Sequence, residues 1–280
     1  MSTLYLDIET TEAREVNMGR TDTVWDPAQY EAFGGERARP FGELVGRLGD
    51  ARPASVVDLG CGTGELTATL AARWPDAVID GLDGSADMIA EARRREIPGR
   101  LTFRVGDVAA WEPERPVDLI VSNAVLHWLP EHPALLSRWV DALAPGGRIA
   151  FQVPGNFGAP SHVLLRELAR SDRWRDKLGA FQRDEPVLDP PGYLDLLTRR
   201  GCAVDAWETT YAQVLHGEDP VLEWVKGSTL RPVLSALDPA ETAEFLAAYR
   251  DRLSRAYPAA PYGTVFPFRR IFVIAARADS

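Results

Sequence analysis

The sequence predicts an α/β protein: a doubly wound, mostly parallel sheet covered by helices on both faces. Three observations carry this. Short apolar runs alternate with amphipathic segments from about residue 54 to 155. The first run, Val56-Val57-Asp58-Leu59, turns at once through Gly60, Gly62 and Gly64 into a helical pattern of Leu66, Leu70 and Trp74. Later runs end in polar residues, Asp83 after the second, Asp107 after the third and Asn123 after the fourth, where a parallel sheet gathers its loops along one edge.

The elements follow in order. Residues 1–22 read as an appendage, because the brief alternation at Leu4-Tyr5-Leu6 is broken by Thr-Glu-Ala-Arg-Glu. Asp26-Pro27 is a cap-and-proline helix start, and that helix runs through Tyr30 towards Pro40. A second helix carries Phe41, Leu44, Val45 and Leu48. Strands are expected at 55–59, 77–82, 101–105, 117–121 and 147–153, with helices at 64–73, 85–95 and 132–143. Ala144-Pro145-Gly146-Gly147 stops the last of these helices. Beyond Pro154 come helices near 160–172 and 191–200, a strand at 203–215, an amphipathic helical stretch from 218 to about 257 and a closing strand at 264–277. Residues 23–280 read as one domain, with a core at about 40–155 and lid helices at about 156–200 and 216–262.

Composition sets limits. Apolar residues make 45% of the chain and charged residues 26%, ordinary values for a globular protein. The net charge of −10 argues against a nucleic-acid partner, since phosphates call for a basic face. No apolar run approaches the ~20 residues of a membrane span, and no signal pattern opens the chain. Cys61 and Cys202 provide neither a disulfide framework nor metal spacing, so we expect no metal and a cytoplasmic location. The expected partner is a small molecule, and the protein a monomer or homodimer.

The glycine loop is the strongest functional signal. Three positions without side chains let a ligand lie against the backbone, and the following helix N-terminus offers unpaired N–H groups. The spacing is G-x-G-x-G, whereas nicotinamide dinucleotide enzymes need G-x-G-x-x-G. Asp83, about 20 residues on, is placed to accept hydrogen bonds from ribose hydroxyls.

With Asp58 two positions before Gly60, this loop resembles motif I of the class I S-adenosylmethionine-dependent methyltransferases. The resemblance implies a Rossmann-like sheet of seven strands with the last antiparallel, and S-adenosylmethionine as cofactor. It implies a cofactor site of Asp58, Gly60, Gly62, Gly64, Asp83, Asp107, Val108 and Asn123, with Asp107 and Val108 on the adenine. Residues 124–129, Ala-Val-Leu-His-Trp-Leu, would sit under the transferred methyl.

From about 24 to 277 the chain is further similar to the trans-aconitate methyltransferases. The matching pieces include Trp25-Asp26-Pro27, Leu126-His127-Trp128-Leu129-Pro130, Val153-Pro154-Gly155-Asn156-Phe157, Leu230-Arg231-Pro232 and Phe268-Arg269-Arg270. The charged segment Arg170–Val187 has no such match. The resemblance implies esterification of trans-aconitate or a similar small polycarboxylate. A carboxylate is ionised at neutral pH and needs no base, only dehydration, aim and cationic grip. Candidate cations are Arg37, Arg39, Arg231, Arg269 and Arg270. Arg231 leads, with Arg37, Arg269 and the aromatic Trp224 completing the substrate set. His127, Tyr30 and Trp128 form the catalytic set. His127 has two functional readings: it hydrogen-bonds a carboxylate acceptor, or it is the base for a hydroxyl or amine. A packed helix-start histidine is the structural alternative. A methyltransferase for another metabolite and a non-catalytic cofactor-binding protein remain the competing functions.

Overall fold

The structure is a computed structural model that describes residues 34–179, 187–227 and 229–278, without the side chains of residues 34–37 and Arg231. The appendage at 1–22, the helix start at Asp26-Pro27 and Tyr30 lie outside the described residues. In chain order the elements are α1 Gly34–Gly46, β1 Ser55–Leu59, α2 Glu65–Arg73, β2 Val78–Asp83, α3 Ala86–Ala92, β3 Leu101–Val105 and β4 Val117–Asn123. Next come α4 His132–Asp141, β5 Leu143–Pro154, α5 Pro160–Ala169, α6 Arg175–Leu178, α7 Pro190–Thr198 and β6 Cys202–Leu215. The chain closes with α8 Pro220–Lys226, α9 Arg231–Ser235, α10 Pro239–Ala256, β7 Ala259–Ala260 and β8 Gly263–Arg277.

Seven strands lie in the order β3-β2-β1-β4-β5-β8-β6, and the two-residue β7 pairs with the start of β8. The first five run parallel, while β8 is antiparallel to both β5 and β6. This is the expected sheet with one short strand added. The strand order reverses between β1 and β4, which opens a crevice at their carboxyl ends.

The apolar runs form parallel strands because both of their faces are covered. Val56, Leu119, Val121, Ala150 and Phe272 pack on one face with Phe41 and Leu44 of α1 and Leu70 of α2. Val57, Leu59, Ile120, Phe151 and Val273 pack on the other with Leu136 and Trp139 of α4. A third cluster stands apart, built from α5, α8 and α10 together with Leu215 of β6 and Phe266 and Phe268 of β8.

Several features differ from the sequence reading. β5 opens at Leu143, so Ala144-Pro145-Gly146-Gly147 lies within the strand, and the stretch from 218 to about 257 divides into α8, α9 and α10. The expected break at Pro40 is absent, and α1 runs through it. An interior proline costs ~3 kcal/mol. Burial of Phe41, Leu44 and Val45, at ~1.5–3 kcal/mol each, outweighs that. The helix α7, read with the lid, packs on the sheet instead, because Tyr193 and Leu197 are wholly buried in the second cluster.

Candidate functional site

Parallel strands deliver their following loops to one edge, and the expected cofactor residues meet there. Gly60 has φ 86° and Gly62 φ 55°, left-handed values that glycine adopts without strain. A Cβ on Gly60 would stand 2.1 Å from Cγ2 of Val125, so the loop packs tightly against the turn after β4. A Cβ on Gly62 would meet nothing within 4 Å. The loop is thus closed against protein at Gly60 and open at Gly62, as a backbone cradle for a ligand must be. The Gly62 N–H donates to Asp83 Oδ2 and the Ser85 N–H to Asp83 Oδ1, each at 2.9 Å. These bonds fix the carboxylate at the end of β2 and leave each oxygen a lone pair for a hydroxyl. Asp107 Oδ1 accepts from the Ala109 N–H at 2.8 Å, and Val108 is buried beside it.

Asp58 lies beneath the loop, 2% exposed. Its Oδ2 accepts from the Thr67 hydroxyl at 2.6 Å, while Oδ1 is buried with no partner among the described residues. Burial, reinforced by the Asp83 carboxylate and opposed by the Thr67 hydrogen bond, pushes its pKa up to about 7. An orphaned acidic oxygen beside an open glycine cradle fits the cationic amino group of S-adenosylmethionine. A pH dependence of stability follows. The folded state holds this proton more tightly than the unfolded chain. The stabilising contribution is therefore complete below pH ~4 and is lost as pH rises through about 7. Asp58→Asn removes that titration. Relative to the wild-type protein, it is expected to gain roughly 3 kcal/mol in unfolding free energy between pH 5 and pH 8. Urea unfolding at the two pH values measures this, and an unchanged difference would remove the buried proton.

The turn after β4 holds the second half of the site. Ala124 has φ 59°, a strained value for a residue with a Cβ, and its N–H donates to the Gln152 carbonyl at 2.9 Å. His127 follows, its Nδ1 buried with no partner among the described residues. Burial first, then the nearby charge of Arg270, lowers its pKa to about 3, so the imidazole is neutral. Arg270 is 7% exposed, with its guanidinium 4.5 Å over the Phe268 ring. It donates to Gln152 Oε1 at 3.3 Å, and Gln152 Nε2 donates to Asn123 Oδ1 at 2.5 Å. His162, on α5, is close enough to His127 to affect its titration. Burial lowers the pKa of His162 itself to about 4, and its ring lies 5.3 Å from that of Phe157.

The other sequence candidates are placed as follows. Trp128 is half exposed, 4.6 Å from the His127 ring. Trp224 is buried in the third cluster against Phe266 and Phe268. Arg269 points away from Arg270 and pairs with Glu208 on β6. Arg39 pairs with Glu43 at 3.0 Å and lies over the Tyr211 ring. The side chains of Arg37 and Arg231 lie outside the described ones. A hollow of about 400 Å³ lined by His216, Tyr262 and Thr264 contributes no residue to the site. Among the described residues, no cluster of His, Cys, Asp and Glu could hold a metal, and no helix is long and apolar enough to cross a membrane.

Known proteins give the site its context. A family described as a methyltransferase domain matches residues 56–147. The trans-aconitate 2-methyltransferase of Streptomyces avermitilis is 53% identical over 258 residues, covering 90% of this chain and 96% of that protein. The chain belongs to the trans-aconitate 2-methyltransferase family. The family member from Streptomyces coelicolor is 51% identical, over 94% of this chain and 89% of its own. A Haemonchus contortus phosphoethanolamine N-methyltransferase solved with S-adenosyl-L-methionine superposes with a TM-score of 0.54. At 17% identity, over 90% of this chain and 56% of that one, it shows the shared fold. This member of the trans-aconitate 2-methyltransferase family is thus a methyltransferase that uses S-adenosylmethionine. Gln152 and His162 were not singled out as site residues in the sequence. An isolated glutamine within the apolar strand Ile149–Val153 was the only available signal for Gln152.

Proposed function

We propose that the protein transfers the methyl group of S-adenosylmethionine to a carboxylate of trans-aconitate, or of a polycarboxylate of similar size, giving a methyl ester. Two things support this: relatives about half identical in sequence that bear that name, and a buried arginine beside a neutral histidine at the open edge of the sheet. When bound, the cofactor supplies a methyl group already activated by its sulfonium. Asp58, Gly60, Gly62, Gly64, Asp83, Asp107 and Val108 would hold it.

The remaining work falls to residues that grip an anion. The acceptor carboxylate carries its own charge at neutral pH, so no proton has to be removed. Arg270 supplies a fixed positive charge in a low-dielectric setting, where an ion pair is stronger than in water. His127, neutral, offers an imidazole nitrogen as a hydrogen-bond partner for the acid, and Trp128 walls the rim. Arg231, at the start of α9, provides a second cation for another carboxylate. The helices of the third cluster serve as the lid that excludes water. A pKa near 3 makes His127 a poor general base, which weighs against a hydroxyl or amine acceptor.

Turnover of purified protein with S-adenosylmethionine and a panel of di- and tricarboxylic acids tests this, with hydroxyl and amine acceptors as controls and mass spectrometry as readout. The expected product is a monomethyl ester of trans-aconitate. Cofactor binding without an ester from any acid would overturn the carboxylate reading.

A further inference from the structure

The hydrogen-bond chain from Arg270 to Asn123 has a direction that the residues themselves dictate. A guanidinium can only donate, so the atom of Gln152 that meets it is the oxygen. The Gln152 nitrogen then faces Asn123, where only an oxygen can receive it. Asn123 must therefore turn Oδ1 inward, which leaves its Nδ2 as the outward group. Among the described residues, Nδ2 of Asn123 has no partner. Asn123 closes β4 at the carboxyl edge, four residues before His127, and shares a face of the sheet with Gln152 and Arg270.

We propose that Arg270, acting through Gln152, fixes the Asn123 amide so that Nδ2 donates to the acceptor carboxylate. In this assignment Asn123, read from the sequence as a cofactor residue, contacts the reacting acid, and Gln152 is a positioning residue. The inference rests on the carboxylate reading above. Its physical content is a polarised chain. The cation strengthens the Gln152 bond, which strengthens the next, so a buried charge is expressed at the edge as a neutral donor. A donor held in this way welcomes carboxylate lone pairs and rejects an acceptor that itself donates, such as an amine. Gln152 also holds the strained Ala124 through its carbonyl, so side chain and turn are set together.

Gln152→Glu reverses the chain without touching Asn123. A glutamate accepts from Arg270 and from Nδ2 of Asn123, which must turn and present Oδ1 to the acid. The test measures the affinity of trans-aconitate calorimetrically with S-adenosylhomocysteine bound, together with steady-state turnover. The expected result is a fall in acid affinity and in kcat/KM of about 10–100-fold, the value of one hydrogen bond to a charged group. S-adenosylhomocysteine affinity should change less than about threefold, because the chain acts on the acid. Asn123→Asp is the second variant, keeping the oxygen for Gln152 and losing the donor, and it should lose the acid equally. Wild-type acid binding and turnover in both variants would overturn the assignment alone. A wild-type protein that neither binds nor methylates any acid would overturn the substrate reading and this assignment together.

Discussion

Gly60→Ala is expected to abolish cofactor binding and to lower the unfolding free energy by roughly 2–5 kcal/mol. The left-handed backbone costs ~1–2 kcal/mol once a Cβ is present, and overpacking adds ~1–3 kcal/mol. The overpacking is specific. The new methyl would sit 2.1 Å from Val125, whose turn carries His127, so relief on one side displaces the other half of the site. Gly62→Ala separates the two effects. It has the backbone strain but meets no protein atom, so the fold should survive with a loss of ~1–2 kcal/mol. Its methyl enters the space left open for the cofactor, and S-adenosylmethionine affinity should fall by about 100-fold, the order of a lost close fit. Urea unfolding and equilibrium dialysis on both variants give the four numbers. Wild-type affinity in Gly62→Ala would place the cofactor elsewhere.

Arg270→Ala is expected to lower kcat/KM on trans-aconitate by about 10²–10³-fold, the cost of removing one partner of a desolvated charge pair. Gln152 Oε1 loses the donor that orients it, so the effect should exceed that of a simple charge deletion. Arg270→Lys keeps the charge and loses the planar fork, and should recover part of the loss. Arg269→Ala is the control one residue away. Its side chain is part-exposed and paired with Glu208, and such pairs contribute about 0–1 kcal/mol, so turnover should stay within about threefold. Equal losses in the two alanine variants would mean that the clamp is not confined to the Arg270 face.

The first half of the fold was legible because its signals are local. The glycine loop and the carboxylates at or just past the ends of β2 and β3 each come from a few neighbouring residues. β1 to β4 lie within a residue or two of the expected positions, whereas β5 starts at Leu143 and takes in the expected helix-stop turn. The proposed clamp was not legible for a reason of register. Arg269 and Arg270 point to opposite faces of β8, but residues 271–275 are all buried, so no alternation marks which face is the site. Only the pairing of Gln152 with Phe272 and of Pro154 with Arg270 places one arginine on the face of Asn123. The short helix α6 escaped because four residues carry no usable period. Pro40 misled for the opposite reason: its local cost is real, and tertiary burial overrides it.

One strand joins the two parts of the site. β8 pairs with β6 from Thr264 onward but with β5 only from Arg270, so residues 265–269 leave the sheet as a two-stranded ribbon, with β7 paired at its tip. Phe266 and Phe268 on that ribbon are gripped by the helical insertion, and Arg270 stands where the ribbon is rooted. No loop lies between them to absorb movement. The ribbon is a stiff lever with its load at one end and the guanidinium at its fulcrum, so any tilt of the helices of the third cluster must twist the cation proposed to hold the acid.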